Sequence, residues 1–256
     1  MKRLLQFELR KLLHAKSLFI CVGIVFVLSM LNVVLYRVMI SLSITMSGNV
    51  GDIGQVLIPN SAGDWLATCI GSSSFNTVIP IFVVIFVCED YTQKTIKNVY
   101  SQGYTRTQVY FAKSIVVLIA ATASFILTLL FNLVIALIAF GSFGDAPSFF
   151  ILFDQYLVAL CYVALVLFTA FAFKKLALPI LLLLFAPGAV SIVLSILDLI
   201  IKSESFSLGD YWITSFDVSS VMIVSDKRLA EIGIGSAVYA ALFTTLGWLV
   251  NRKHEI

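Results

Sequence analysis

Long apolar runs alternate with short polar interruptions along this chain, and no run shows the two-residue alternation of a half-buried strand. Six runs are long enough to cross a hydrocarbon core about 30 Å thick. They fall at 18–41, 65–88, 112–140, 153–173, 176–201 and 232–250. Each is apolar on all sides, which predicts helices surrounded by lipid or protein. Helices are the expected spans because every backbone N–H and C=O must find its partner without water. The ten-residue alternating segments of a membrane barrel are missing.

Ahead of the first run, residues 1–17 predict a basic amphipathic helix. Leu5, Leu9, Leu12 and Leu13 share one face, and Arg3, Arg10, Lys11 and His14 share the other. Such a helix lies in the interface with its cations on anionic headgroups, or serves only as an orientation signal. The run beginning at Leu18 is too long for a signal peptide, and no small-residue cleavage site follows it, so it reads as an uncleaved first span. Residues 18–256 then form a six-helix membrane unit.

Composition agrees. Of 256 residues, 60% are hydrophobic and 12% charged, about half the charge usual in soluble domains, and mean hydropathy is +1.03. The charges orient the spans. Lys2, Arg3, Arg10, Lys11 and Lys16 precede the first. Lys94, Lys97, Arg106 and Lys113 lie between the second and third, Lys174 and Lys175 between the fourth and fifth, and Arg252 and Lys253 after the sixth. All fall on one face, whereas Asp52, Asp64, Asp145, Asp210, Asp217 and Asp226 fall on the other. The positive-inside rule puts both termini in the cytoplasm. The fold class expected is therefore all-α integral membrane, with six transmembrane helices, an N-terminal interfacial helix and cytoplasmic termini. The net charge of +3 follows from this bias and gives no reason to expect nucleic acid.

The chemistry visible in the sequence is sparse. There is no P-loop, no His-Glu-x-x-His and no Gly-x-Ser-x-Gly, so no catalytic residue is assigned. The four cysteines have no metal or disulfide spacing, and no metal ligand is assigned. Arg37, Asp154 and Asp198 sit near span ends, where they are expected to snorkel or meet water. The deep polar residues are neutral: Asn32, Asn76, Thr77 and Asn132. They line a path or bridge helices. This disfavours an ion-coupled carrier, which usually needs ionisable groups at depth. Pro179, Pro187 and Gly188 put a bend in the fifth span. On the outer side, 42–64 predicts an irregular loop, with Trp65 anchoring the next span at the interface. The outer segment 202–231 mixes Phe206, Tyr211, Trp212, Ile213 and Phe216 with acids, and suggests short helices on the outer surface.

The interruption at 89–113 carries the most information. Glu89 ends the second span and Lys113 begins the third. Between them Thr92–Ser101 predicts a short helix with Thr92 as its cap and Gly103 as its stop, and Thr105 opens the helix that becomes the third span. A short helix held between two spans transmits force if pushed, and Lys94, Lys97 and Arg106 suit acidic or carbonyl groups on a cytoplasmic partner. A solvated loop with positive-inside charges would read the same way.

At these residues the chain resembles the permease subunits of ABC-2-type ATP-binding-cassette transporters. That pattern has a Glu closing the second span, Gly-Thr-[Ile/Leu]-[Lys/Arg], a turn with Ser/Thr-Arg, and a Lys opening the third. Glu89, Thr95, Ile96, Lys97, Ser101, Gly103, Thr105, Arg106 and Lys113 match, and Lys94 stands where the family usually has Gly. The basic N-terminal helix is similar to the family's elbow helix, and Trp248–Lys253 to its usual ending. The small permeases of Firmicutes that serve bacteriocin or lantibiotic immunity, bacitracin resistance and phenol-soluble-modulin export look similar. The resemblance implies that residues 91–104 are a coupling helix seated on a separate ATPase. It implies two ATPases carrying ATP and Mg, a second permease copy or paralogue, no cofactor in this chain, and a bacterial cytoplasmic membrane. It also makes Glu89, Lys94, Thr95, Lys97, Gly103, Arg106 and Lys113 the expected ATPase-coupling residues. Asn76, Asn132 and Pro187 are the expected path residues, for outward movement of an amphipathic peptide cargo. The other readings are a non-transporting scaffold or sensor and an ion-coupled carrier.

Overall fold

A computed structural model describes residues 1–47, 61–72, 74–144, 147–201, 207–219 and 226–253. The described residues are helical, with no strand among them. The elements are α1 (Lys2–His14), α2 (Lys16–Ser47), α3 (Ala62–Ser72), α4 (Phe75–Thr92), α5 (Ile96–Ser101), α6 (Arg106–Phe140), α7 (Phe149–Phe173), α8 (Ala177–Ile201), α9 (Ile213–Ser219) and α10 (Asp226–Lys253). A 3-10 turn at Gly209–Tyr211 precedes α9. Six of the helices are long and apolar enough to span: α2, α4, α6, α7, α8 and α10.

Five spans match the expected runs with shifted ends. The second does not. The run expected at 65–88 is two helices, α3 ending at Ser72 and α4 opening at Phe75 after the turn residue Ser74. Trp65, expected as an interfacial anchor, is instead buried, and its indole N–H donates to Asn132 Oδ1 at 3.1 Å. The expected outer loop 42–64 lies outside the described residues at 48–60, and the outer segment at 202–206 and 220–225.

The centre of the bundle is α7, which packs most extensively on α10 and then on α4. Two apolar clusters hold it. One joins Phe82, Val83, Phe86 and Val87 of α4 to Val163, Val166, Leu167 and Phe171 of α7. The other joins Trp65, Phe75, Ile79 and Phe125. Helix α8 leans on this core by one edge, with Pro179, Leu183 and Pro187 buried and its other faces apolar and exposed. Close approach on α10 falls at three glycines, Gly233, Gly235 and Gly247. A Cβ at Gly235 would lie 2.6 Å from the Phe216 ring, and one at Gly247 2.8 Å from Tyr110 Oη.

The polar interruptions collect at the two ends of the bundle. At one end α1 meets the end of α4 (Lys11 to Asp90), Cys88 Sγ lies 3.6 Å from Lys175 O, and Asn251 Nδ2 donates to Arg106 O at 3.2 Å. This is the basic end. At the opposite end Gly63 N–H donates to Phe143 O at 2.8 Å and Asn76 to Asp217 at 2.6 Å, while Trp212 Nε1 reaches down to Pro187 O, partway along α8, at 2.8 Å.

Candidate functional site

The basic end is built from three helices. In α1, Glu8 and Lys11 lie three residues apart and therefore on one face. The last turn of α4 delivers Glu89 and Asp90, and the second turn of α6 delivers Lys113. Lys113 is completely buried and pairs with Glu8 at 3.2 Å and with Asp90. Lys11 takes the other oxygen of Asp90 and lies 4.0 Å from Glu89. Both ammonium groups also lie over the Phe86 ring, at 5.1 and 5.3 Å from its centroid. Glu8 and Asp90 balance Lys11 and Lys113, so the cluster is neutral and each buried charge has a partner at contact distance.

This arrangement corrects the amphipathic reading of α1. Its buried face is Leu4, Glu8 and Leu12, not the leucine stripe alone, and Leu13 is 67% exposed. Lys11 faces the protein rather than headgroups. The one carboxylate in an otherwise basic helix was the available signal: Glu8 among Leu4, Leu5, Leu9 and Leu12 is out of place unless it meets a cation. Asp90, adjacent to the Glu89 on which the motif centres, is the hub of the network, while Glu89 is 43% exposed and accepts from Gln93 Nε2 at 3.0 Å.

From this braced corner α5 projects. It is shorter than expected. Thr92 ends α4 and bonds back to Cys88 O at 3.0 Å instead of capping a new helix. Lys94 sits in the left-handed region at φ 57, which turns the chain sharply between Gln93 and Thr95. That conformation favours glycine and explains why a glycine serves at this position in the pattern. Thr95 precedes α5 without a side-chain cap bond to it; its hydroxyl donates back to Asp90 O at 3.3 Å and Oδ1 at 3.2 Å, tying the turn to the end of α4. Gly103, at φ 86, closes α5, its N–H donating to Tyr100 O at 3.0 Å. Thr105 caps α6 in a full capping box: Gln108 N–H donates to Thr105 Oγ1 at 3.3 Å, and Thr105 N–H to Gln108 Oε1 at 3.1 Å.

Only one side of α5 is buried. Ile96 packs on Leu4, Val109 and Ala112, while Lys94, Thr95, Lys97, Asn98 and Gly103 are exposed. Between α1 and α5 lies a cleft of about 550 Å³, lined by Arg3, Leu4, Phe7, Asp90, Asn98 and Tyr104. Burial pushes the Tyr100 phenol up, so it stays a neutral hydroxyl. Across the end, burial and then the nearby Arg106 guanidinium lower the Lys174 ammonium. Of the expected coupling residues, the fold brings Glu89, Lys94, Thr95, Lys97, Gly103 and Arg106 to one surface and takes Lys113 inside. No cluster of His, Cys, Asp and Glu able to hold a metal occurs among the described residues. The arrangement suits mechanics rather than bond chemistry: an exposed short helix on a rigid, charge-locked corner.

The expected path residues do not gather. Asn132 is fully buried. Besides accepting from Trp65, its Nδ2 donates to Thr128 O at 2.9 Å and Ser29 Oγ at 3.4 Å, which makes it a bridge between α2, α3 and α6. Asn76 is buried beneath the outer segment, held by Asp217. Pro187 is buried inside α8, and its carbonyl accepts from Trp212 Nε1. Asp154, expected to meet water, is 6% exposed and lies against α10, where a Cβ at Gly233 would be 2.6 Å from its Oδ1. Pro80, inside α4, is a second helix-interior proline that the polar pattern did not single out; it leaves the Asn76 carbonyl without a helical donor.

No curated protein and no solved structure matches the chain. A family described as ABC-2 family transporter protein matches residues 4–187, a stretch that takes in α1, the charge-locked corner and α5. The chain belongs to this family, as a membrane-embedded permease component of an ABC transporter.

Proposed function

We propose that this permease is driven by a separate ATPase docked on α5, and that it exports amphipathic peptides. The observation that carries the reading is the exposed six-residue helix held between two spans by the Glu8–Lys113–Asp90–Lys11 network. A push on α5 reaches α4 and α6 directly, because the turns at either end are short, one tied to Asp90 through Thr95 and the other closed by the Thr105 capping box. It reaches α1 through the buried charges. Lys97 and Asn98 face the partner, and the 550 Å³ cleft beside α5 receives part of the same surface. Two permease copies, identical or paralogous, sit beside two ATPases that carry ATP and Mg. The basic end faces the cytoplasm of a bacterial plasma membrane, as the positive-inside rule requires. The cargo path runs between the two copies, where the exposed apolar faces of α8 lie; an apolar wall suits an amphipathic rather than a highly charged cargo.

The experiment is a nanodisc pull-down with the full chain as bait and mass-spectrometric identification of what binds. A P-loop ATPase is recovered with the wild type and lost with Lys97→Glu and with Arg106→Glu, while both variants keep the wild-type melting temperature. Unchanged association and transport in both variants refutes the docking assignment. Undiminished peptide export from a strain lacking the chain refutes the cargo assignment and leaves the docking intact.

A further inference from the structure

A groove runs along the seam of α6, α7 and α10, with a volume of about 290 Å³. Its floor is made by small residues, Ala164, Ala240 and Ala241, where larger side chains would close it. Ile115 and Leu118 form an apolar rim, 38% and 46% exposed, and face the bilayer. Thr244 makes no polar demand on an occupant, because its hydroxyl already bonds to Ala240 O at 2.8 Å and Ala241 O at 2.9 Å.

Each of the three helices that form the groove carries a cation at the basic end: Arg106 begins α6, Lys174 follows α7 and Arg252 lies in the last turn of α10. At 1.5 Å of rise per residue these cations lie roughly 10–20 Å from the groove residues of their own helices. The hydrocarbon half-thickness is about 15 Å, so the groove sits within one leaflet and the cations sit at its headgroup level. Asn251 donating to Arg106 O, and Tyr110 Oη donating to Thr244 O at 2.6 Å, clamp α6 to α10 between the two levels. The Arg252 guanidinium rests over the Trp248 ring, 6.0 Å from its centroid.

We propose that this seam binds one anionic phospholipid, with an acyl chain in the groove and the headgroup phosphate on Arg106, Lys174 and Arg252. The groove is too short for a spanning helix of a second copy: Leu160 to Leu167 is about 10 Å of rise, against a core of about 30 Å. An acyl chain needs only one leaflet. Charge supplies the choice of lipid. Burial and then the nearby Arg106 guanidinium disfavour the Lys174 charge, which a phosphate beside Lys174 relieves. The occupant has no bearing on what cargo the permease carries.

The test is native mass spectrometry of the full chain released from nanodiscs of equal phosphatidylglycerol and phosphatidylcholine. The wild type retains phosphatidylglycerol in preference. Removing one interfacial cation weakens its retention about fivefold, the equivalent of about 1 kcal/mol. Lys174→Asn and Arg252→Gln serve, asparagine being tolerated at the left-handed Lys174 position. Ala241→Trp, placed on an exposed position, fills the groove and removes the preference while the cations remain. Equal retention of the two lipids by the wild type overturns the proposal, as does undiminished phosphatidylglycerol on Ala241→Trp. A change of oligomeric mass on Ala241→Trp with no change in bound lipid assigns the groove to a second copy, and also overturns it.

Discussion

Replacing Lys113 with methionine tests whether the basic end is held by charge. The side chain is completely buried, and Glu8, 3.2 Å away, is 1% exposed. In Lys113→Met, Asp90 keeps Lys11 but Glu8 loses its cation, so a balanced group of four charges becomes one with an unpaired carboxylate. Stranding a buried charge in this way costs about 3–5 kcal/mol. For a chain of this size that is a fall in melting temperature of roughly 10 °C. The double variant Glu8→Gln/Lys113→Met removes both members and leaves the Asp90–Lys11 pair. It falls within about 1 kcal/mol of the wild type, because neutral groups of similar shape replace the buried pair. Thermal unfolding in nanodiscs, read by intrinsic fluorescence, measures all three proteins. Two results refute the reasoning: a single variant as stable as the wild type, or a double variant no better than the single.

Two further predictions concern the segments next to the spans. Burial pushes the Asp217 carboxyl up to about 6 from 3.8, against the Asn76 amide that lowers it. A raised carboxyl means the folded protein binds the proton more tightly, so its stabilising contribution is present at low pH, is lost as pH rises from about 4 to 6, and is flat above that. Asp217→Asn therefore gains melting temperature over the wild type as pH rises through that window, and a difference independent of pH refutes the assignment. At the other end, Thr105→Ala removes the side-chain half of the α6 capping box, costs about 1 kcal/mol, and speeds amide exchange at Gln108 about fivefold. Hydrogen exchange by mass spectrometry reads this directly, and unaltered protection shows that Thr105 does not hold the start of α6.

The parts of this architecture that can be read in one dimension follow from the bilayer. A bilayer demands about 20 apolar residues per span and an internal partner for every backbone group, so run length alone located five of the six spans and misplaced the second, which starts only at Phe75. The turns around α5 were legible for a related reason: Gly103 and Thr105 act on their own backbone neighbours, and no distant contact is needed to read them. Position 94 was harder, since a lysine gives no hint of left-handed backbone; the turn between α4 and α5 imposes it. Tertiary structure alone decided which polar residues pair. Glu8 and Asp90 are 82 positions apart in the sequence and meet only because α1 folds back across the ends of α4 and α6, which turns Lys113 from a surface charge into a buried one. Asn132 and Trp65 tell the same story in the opposite half: a polar group in an apolar run must find a partner, but periodicity cannot say whether that partner is another helix or a path. The division has one cause. Burial from lipid is a property of a segment, whereas satisfying a charge or an amide is a property of a pair, and the pair exists only once the helices are packed.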